Sequence, residues 1–173
     1  MIAVLDTSAL QAIHRAGVLE HLNTLFDQVL LPGAVERQTR DALRDFGPAL
    51  VPDLDSLPWI AVQSVATAEL EAHRDPPNGV KRRGLVSKTR PLCHGYAVDL
   101  EEFEVVVLAR RVGGVGVLDD HGGHRCAANL GVTARTTIQV LEEIVARGLT
   151  PVPVADLVKK IQATGYDPTT RRP

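Results

Sequence analysis

The sequence predicts an α/β protein in which a mostly parallel sheet of about five strands is covered by helices on both faces. Short apolar runs that are typical of strands alternate along the chain with stretches whose apolar residues repeat at helical spacing. The length of 173 residues suits one domain with a single core. With 45% hydrophobic residues and only 3% aromatic ones, that core is expected to consist of Val, Leu, Ile and Ala.

The first strand and helix are expected at the beginning of the chain. Residues 2–5 form a short apolar run that ends at Asp6, and Ala9, Leu10 and Ile13 then follow at helical spacing. Thr7 or Ser8 is expected to cap this helix by accepting a hydrogen bond from a backbone N–H of its first turn. Residues 18–26 continue with a helical pattern.

The pattern of strand and helix then repeats. Residues 29–31 predict a second strand, which Pro32 and Gly33 stop, and a helix is expected from residue 34 to about residue 46. Residues 59–65 alternate apolar and polar side chains, which indicates a third strand.

The segment 99–112 has acidic residues at its start and an apolar block in its middle. Its β-branched residues are compatible with a strand as well, but Gly113 and Gly114 end the segment and residues 115–118 supply a better strand. We therefore expect a buried helix, whose N-terminal dipole the acids complement, followed by a strand that ends at the pair Asp119-Asp120.

The remaining elements continue the alternation. A helix is expected at about residues 122–130, a strand at 132–134 and a helix at 137–147 with Gly148 as its C-cap. Apolar residues between 154 and 161 mark a last amphipathic helix that ends at Gly165, and a loose tail is expected at 168–173.

A basic stretch is expected to form an exposed insertion within a single domain of residues 1–167. Between about residues 73 and 94 the composition shifts to Pro, Gly and basic residues. Lys81, Arg82 and Arg83 are candidate contacts for nucleic acid, and a solvated loop without function is the alternative.

Charge and cysteine content limit the compartment and the partners. The net charge of −2 means that a nucleic acid must be bound by a local basic patch rather than by the field of the whole protein. Cys93 and Cys126 lie far apart without a CxxC motif, which argues against a disulfide framework or a structural zinc site and favours a reducing compartment. A cytoplasmic protein is expected, because no basic leader and no apolar run of membrane-spanning length is found.

Two carboxylates follow predicted strands from opposite halves of the chain. Asp6 follows the first strand and Asp119 follows the strand at 115–118. If these strands are neighbours where the strand order reverses, the two acids converge on one crevice and need a cation between them. Oxygen ligands favour Mg²⁺ or Mn²⁺, and such a site would support hydrolysis of a phosphodiester bond. The alternative is that each Asp only caps the helix that follows it.

Four segments resemble the motifs of the PIN-domain nucleases. They are residues 4–10, 31–38, 102–109 and 117–120, and residues 136–149 resemble the C-terminal part of the VapC-related subfamily of prokaryotic toxins. The resemblance implies a three-layer α/β/α fold. It also implies a Mg²⁺ or Mn²⁺ site with Asp6, Glu104 and Asp119 as catalytic ligands, Asp120 as a secondary ligand, and Thr7, Ser8, Gln38, Glu36 and Thr136 in support.

The function implied by the resemblance is that of a metal-dependent endoribonuclease, the toxin of a toxin-antitoxin pair, with RNA as its substrate, a cognate antitoxin as its partner and a homodimer as its assembly. One position departs from the family, because Gln38 stands where a Glu is usual, and Glu36 lies two residues earlier on the other side of the helix. The alternative is therefore a PIN-like module of weak or no activity that binds RNA or a protein.

Overall fold

The computed structural model describes residues 1–74, 92–93 and 96–166. The strands are β1 (Ile2–Leu5), β2 (Gln28–Pro32), β3 (Ile60–Gln63), β4 (Leu92–Cys93), β5 (Tyr96–Ala97), β6 (Val115–Val117) and β7 (Thr133–Arg135). The helices are α1 (Thr7–Ala16), α2 (Leu22–Leu25), α3 (Gly33–Phe46), α4 (Thr67–His73), α5 (Leu100–Val112), α6 (His121–Asn129), α7 (Thr137–Ala146) and α8 (Val154–Gln162).

Five strands form one parallel sheet in the order β3-β2-β1-β6-β7, and β4 and β5 form a separate antiparallel hairpin. Helices α1, α7 and α8 pack against one another, and α5 packs against α4 and α6, so that the sheet lies between two helical layers. The predicted three-layer α/β/α fold is confirmed.

Strand β1 lies at the centre of the sheet because its side chains are apolar on both faces. Ala3, Val4 and Leu5 are completely buried, and Val4 pairs with Leu30 of β2 on one side and with Gly116 of β6 on the other. The chain builds the sheet outward from β1 to β3 and then returns to place β6 beside β1. The strand order therefore reverses between β1 and β6, which is where an open parallel sheet forms a crevice at its carboxyl edge.

The apolar block of the 99–112 segment is a buried helix, as predicted. Residues 102–109 of α5 are all buried, and Gly113 ends the helix in the left-handed conformation with φ +64°. The next residue, Gly114, lies where a Cβ atom would be 2.8 Å from the backbone oxygen of Ile2. A larger residue would push the end of α5 away from β1, so this glycine permits close packing of helix and sheet.

Three local features differ from the expectations. Residues 18–26 contain a 3₁₀ turn at Leu19–His21 before the short α2 instead of one helix, and Gly148 follows the actual C-cap of α7, Arg147. Helix α4 was not predicted, because its sequence contains Leu70 as its one large apolar residue and none of its residues is buried. Tertiary contacts support it, since Arg111 of α5 forms a 2.9 Å ion pair with Glu69.

Most of the basic stretch at residues 73–94 lies outside the described residues, and so do Lys81, Arg82 and Arg83. The tail at 168–173 also lies outside them. The insertion, the tail and the single-domain boundaries therefore stay predictions. In the described part of the chain, no helix is both long enough and apolar enough to cross a membrane.

The expectation of unpaired cysteines is wrong. Cys93 of the hairpin and Cys126 of α6 form a disulfide across 33 residues, with their Cα atoms 5.6 Å apart. The sequence spacing gives no sign of this pairing, because it depends on the hairpin lying against α6. Gly122 makes that contact possible, since a Cβ atom there would lie 2.5 Å from the backbone oxygen of Ala97. The two cysteines therefore give no support to the expectation of a reducing compartment, which assumed unpaired thiols.

The disulfide predicts a measurable loss of stability when it is removed. Replacing both Cys93 and Cys126 by Ala should lower the free energy of unfolding by about 2–4 kcal/mol, because the unfolded chain gains freedom when the cross-link is absent. Urea unfolding of the two proteins measures this difference. A thiol assay on the denatured, unreduced protein should detect no free cysteine, and two reactive thiols per chain would contradict the pairing.

Candidate metal centre

An open crevice of about 600 Å³ lies at the carboxyl edge of the sheet, beyond the end of β1. Four of its lining residues are acids from the end of β1 and the start of α5, namely Asp6, Asp99, Glu101 and Glu102. Two more, Asp41 and Asp45, come from α3, and Arg15 lines it as a cation. Several negative charges thus converge on one cavity, and of the two strand-end acids expected there Asp6 lines it whereas Asp119 does not.

Asp6 is held rigidly at the start of α1. It is the N-cap of that helix, and its Oδ1 accepts a 2.7 Å hydrogen bond from the backbone N–H of Ala9. Its Oδ2 accepts a 2.7 Å bond from the hydroxyl of Ser8. Asp6 therefore caps its helix and lines the crevice at the same time, and Ser8 orients its carboxylate, whereas a role of Ser8 at a metal site stays a prediction.

Asp119 follows β6 and is completely buried, with 0% of its surface exposed. The backbone N–H of Thr137 donates to its Oδ1 and the hydroxyl of Thr137 donates to its Oδ2, each at 2.7 Å. The hydroxyl of Tyr166 donates to the same Oδ2 at 2.8 Å. Burial, and next the charge of Asp119, raise the pKa of Tyr166 above its ordinary value, so this hydroxyl keeps its proton.

Thr137, rather than the predicted Thr136, donates hydrogen bonds to the strand-end acid Asp119. Thr136 is the N-cap of α7 and exchanges hydrogen bonds with Gln139, whereas Thr137 is the residue that donates to Asp119. The following acid, Asp120, is the N-cap of α6 and accepts a 2.8 Å hydrogen bond from the backbone N–H of Gly122. Capping, the alternative to a ligand role, therefore accounts for the observed contacts of Asp120.

Glu102 is the acid that the sequence interpretation missed. It lies on the first turn of α5 and is only 8% exposed, and its Oε2 is buried without a hydrogen-bond partner in the described structure. Burial, and then the charges of Asp120, Asp6 and Asp99 in that order, raise the pKa of Glu102 to about 8. A buried oxygen without a donor is costly, and a bound cation would offset that cost.

Glu104, which the resemblance nominated as a metal ligand, lies elsewhere. It lines a second cavity of about 470 Å³ beside Arg37, and it accepts a 3.1 Å hydrogen bond from the backbone N–H of Ala34. Residues two apart on a helix point about 200° away from each other, so Glu102 and Glu104 cannot both face the crevice. Glu102 lines the crevice together with Asp6, and Glu104 lines the other cavity instead. The expected grouping of Glu104 with Asp6 is therefore wrong.

The second motif has the register that the sequence predicts. Gln38 lines the crevice, and its Oε1 accepts a hydrogen bond from the hydroxyl of Thr7. Glu36 instead pairs with Arg40 at 3.0 Å, and Arg40 also binds Asp55 at 2.9 Å. Gln38 therefore brings an amide to the crevice, and the carboxylate of Glu36 is engaged outside it.

The chemistry of the crevice suits a hard divalent cation. Its possible ligands are carboxylate, amide and hydroxyl oxygens. Among the described residues, Oε2 of Glu102 has no hydrogen-bond partner, and the negative charges of nearby acids act on the same carboxyl group. Within residues 1–74, 92–93 and 96–166, no three His, Cys, Asp or Glu side chains are grouped closely enough to hold a metal as they stand. The donors present fit a cation, but they would have to move closer together to bind it.

Comparisons with known proteins give little beyond this geometry. No protein-family model matches the chain, and no curated protein matches it. A solved structure of a PilT N-terminus domain protein, SSO1118, from the hyperthermophilic archaeon Sulfolobus solfataricus P2 is similar at 17% sequence identity with a TM-score of 0.49. The match covers 88% of this chain and 98% of that one. A likeness at this level carries no argument about the site.

The raised pKa of Glu102 predicts a pH-dependent stability. Because the folded pKa of about 8 exceeds the unfolded value of about 4.3, the folded protein keeps a proton that the unfolded chain releases between these values. The contribution of Glu102 is therefore fully present below about pH 4 and is lost as the pH rises through 8. In metal-free buffer, Glu102→Gln should remove about 2–4 kcal/mol of the decline in unfolding free energy between pH 5 and 8. An unchanged decline in the variant would place the titrating group elsewhere.

Proposed function

We propose that this protein is a metal-dependent nuclease that hydrolyses phosphodiester bonds in RNA, with Asp6, Glu102 and Asp119 as the acids that hold Mg²⁺ or Mn²⁺. The observation that carries the proposal is the buried, unpartnered oxygen of Glu102 beside other carboxylates at the switch point of a parallel sheet. The Glu102 carboxyl is hydrogen-bonded to the backbone of Asp99 at the start of α5, and a cation would pair with the oxygen that this capping contact leaves over.

The side chains of the crevice have distinct tasks under this proposal. Ser8 and the N-terminus of α1 orient Asp6, and Thr137 orients Asp119, so both carboxylates are preorganised. The divalent ion, when bound, stabilises negative charge on the phosphate and lowers the pKa of a water molecule. Glu102 holds a proton near neutral pH and must release it when it becomes a ligand.

Gln38 is suited to contact the substrate rather than to neutralise the ion. Its carbonyl oxygen already accepts a hydrogen bond from Thr7, so the amide nitrogen is the group that it is able to offer to a phosphate oxygen. The crevice is strongly acidic, and RNA would be repelled from it until cations bind. The predicted contacts of Lys81, Arg82 and Arg83 with RNA, the antitoxin and the homodimer remain proposals.

Two observations favour a second candidate, a PIN-like module of weak activity that binds RNA or a protein. Gln38 contributes a dipole where a carboxylate would contribute a charge. Asp119 is buried and bonded to Thr137 and Tyr166, so it is not directly open to the crevice. Both features lower the expected affinity for a cation, and metal binding is therefore the measurement that separates the two candidates.

The pair Glu102 and Glu104 gives the sharpest test of the site. Glu102→Gln should weaken Mn²⁺ binding roughly tenfold or more, because it removes the unpaired carboxylate oxygen, and RNA cleavage should fall with it. Calorimetric titration of Mn²⁺ into the metal-free protein measures the affinity. Glu104→Gln is the matched control on the same helix and should leave Mn²⁺ affinity unchanged. The reverse result, with Glu104 essential and Glu102 dispensable, would refute the proposed site.

Restoring charge at position 38 tests what limits the activity. Gln38→Glu should tighten Mn²⁺ binding several-fold, because a carboxylate binds a hard cation more strongly than an amide and has nearly the same shape. Glu36→Gln is the control, and it should have little effect because Glu36 pairs with Arg40. Tighter Mn²⁺ binding with increased RNA cleavage would support the nuclease, whereas tighter binding without cleavage would favour the binding module.

A further inference from the structure

Tyr166 lies between Asp119 and the acidic crevice. It lines the crevice together with Asp6 and Glu102, whereas Asp119 is not part of the lining and has no exposed surface. The phenol hydroxyl donates to Asp119 Oδ2 at 2.8 Å, so the ring side chain stands on the path from the crevice to that carboxylate. A cation that enters the crevice therefore meets Tyr166 before it meets Asp119.

Hydroxyl groups link the two acids at the strand ends. Tyr166 is hydrogen-bonded to the side chain of Ser8 as well as to Asp119, and Ser8 donates to Asp6 Oδ2 at 2.7 Å. In this arrangement neutral hydroxyls lie between two carboxylates that would otherwise repel each other. A divalent cation bound to Asp6 and Asp119 would also reduce the repulsion between the two carboxylates, through its positive charge. It would compete with the Tyr166 hydroxyl for Oδ2 of Asp119.

A glycine joins Tyr166 to helix α8, and the partly buried Tyr166 ring packs against the edge of the core. Tyr166 follows α8, which is fixed through the buried residues Leu157 and Ile161, and the chain turns between them at Gly165. Gly165 has φ +83°, and a Cβ atom added there would meet nothing within 4 Å. Rotation at this glycine would swing the phenol away from Asp119 while α8 stays packed.

We propose that Tyr166 is a gate over Asp119, which closes the site in the metal-free protein and opens when a divalent cation binds to Asp6 and Asp119. This inference rests on the proposed function, since it concerns the same cation site. It also accounts for a site whose donors are present but, among the described residues, not yet grouped around a cation. In the closed state the protein has a low affinity for the cation, because the hydroxyl of Tyr166 occupies Asp119 Oδ2.

The test is the affinity of Tyr166→Phe for Mn²⁺, measured by calorimetry beside the wild-type protein. Removing the hydroxyl removes one of the two donors to Asp119 Oδ2 and leaves Thr137 as the other, so binding should become about tenfold tighter. Thr164→Val is the control in the same segment, because the Thr164 hydroxyl bonds to the Ile161 carbonyl and to Arg15 rather than to an acid, and its affinity should equal that of the wild type. Weaker binding by Tyr166→Phe would make Tyr166 a positioning residue and overturn the gate, and so would unchanged binding.

A second measurement uses the wild-type chain and does not depend on the folding of a variant. Addition of Mg²⁺ should produce a tyrosine ultraviolet difference spectrum as the phenol leaves its carboxylate partner, with the same midpoint as Mg²⁺ binding in calorimetry. Mg²⁺ binding without a tyrosine signal would overturn the gate and leave the nuclease proposal standing. Absence of any Mg²⁺ or Mn²⁺ binding in the wild type and in Tyr166→Phe would overturn both.

Discussion

The crowding of carboxylates at the carboxyl edge of the sheet is the constraint on which the rest of the site depends. Like charges that lie close together in a partly buried region repel each other, and Asp6, Asp119 and Glu102 offset this cost in two ways. Asp6 receives hydrogen bonds from the first turn of α1 and from Ser8, and Asp119 receives them from Thr137. Glu102 has no donor for its Oε2 among the described residues, so it avoids the cost of a buried charge by holding a proton.

The fold creates this constraint because it places β1 and β6 side by side. Their carboxyl ends open onto the point where strand order reverses, and α5 begins above the same point. Close packing keeps the acids there, since Gly114 lets the end of α5 approach β1, and a Cβ atom added at Gly123 would lie 3.6 Å from the carboxyl group of Glu102. The disulfide between Cys93 and Cys126 joins the hairpin to α6, whose first residue follows Asp120.

The position of Glu102 rather than Glu104 changes what the crevice is able to do. An acid that holds its proton near neutral pH lowers the negative charge of the crevice, and under the proposed function it would release that proton when a cation binds. The buried Asp119 and the amide of Gln38 add no negative charge to the lining of the crevice, so the charge there comes from Asp6 and from the acids of α3 and α5.

The sequence by itself determined the features that depend on local patterns. Apolar runs, helical spacing and glycine stops located the five strands of the sheet, and the ends of those strands located Asp6 and Asp119. The orientation of Gln38 relative to Glu36 also followed from helical periodicity. These are properties of a few consecutive residues, and short-range geometry fixes them.

Only the tertiary structure decided which side chains complete the site. Glu102 and Glu104 are both acids on one helix, and the choice between them depends on how α5 is rotated against the sheet. Thr137 and Tyr166 reach Asp119 across 18 and 47 residues, and Cys93 meets Cys126 across 33. Local sequence patterns cannot predict such pairs, because they form only when packing brings distant segments of the chain together.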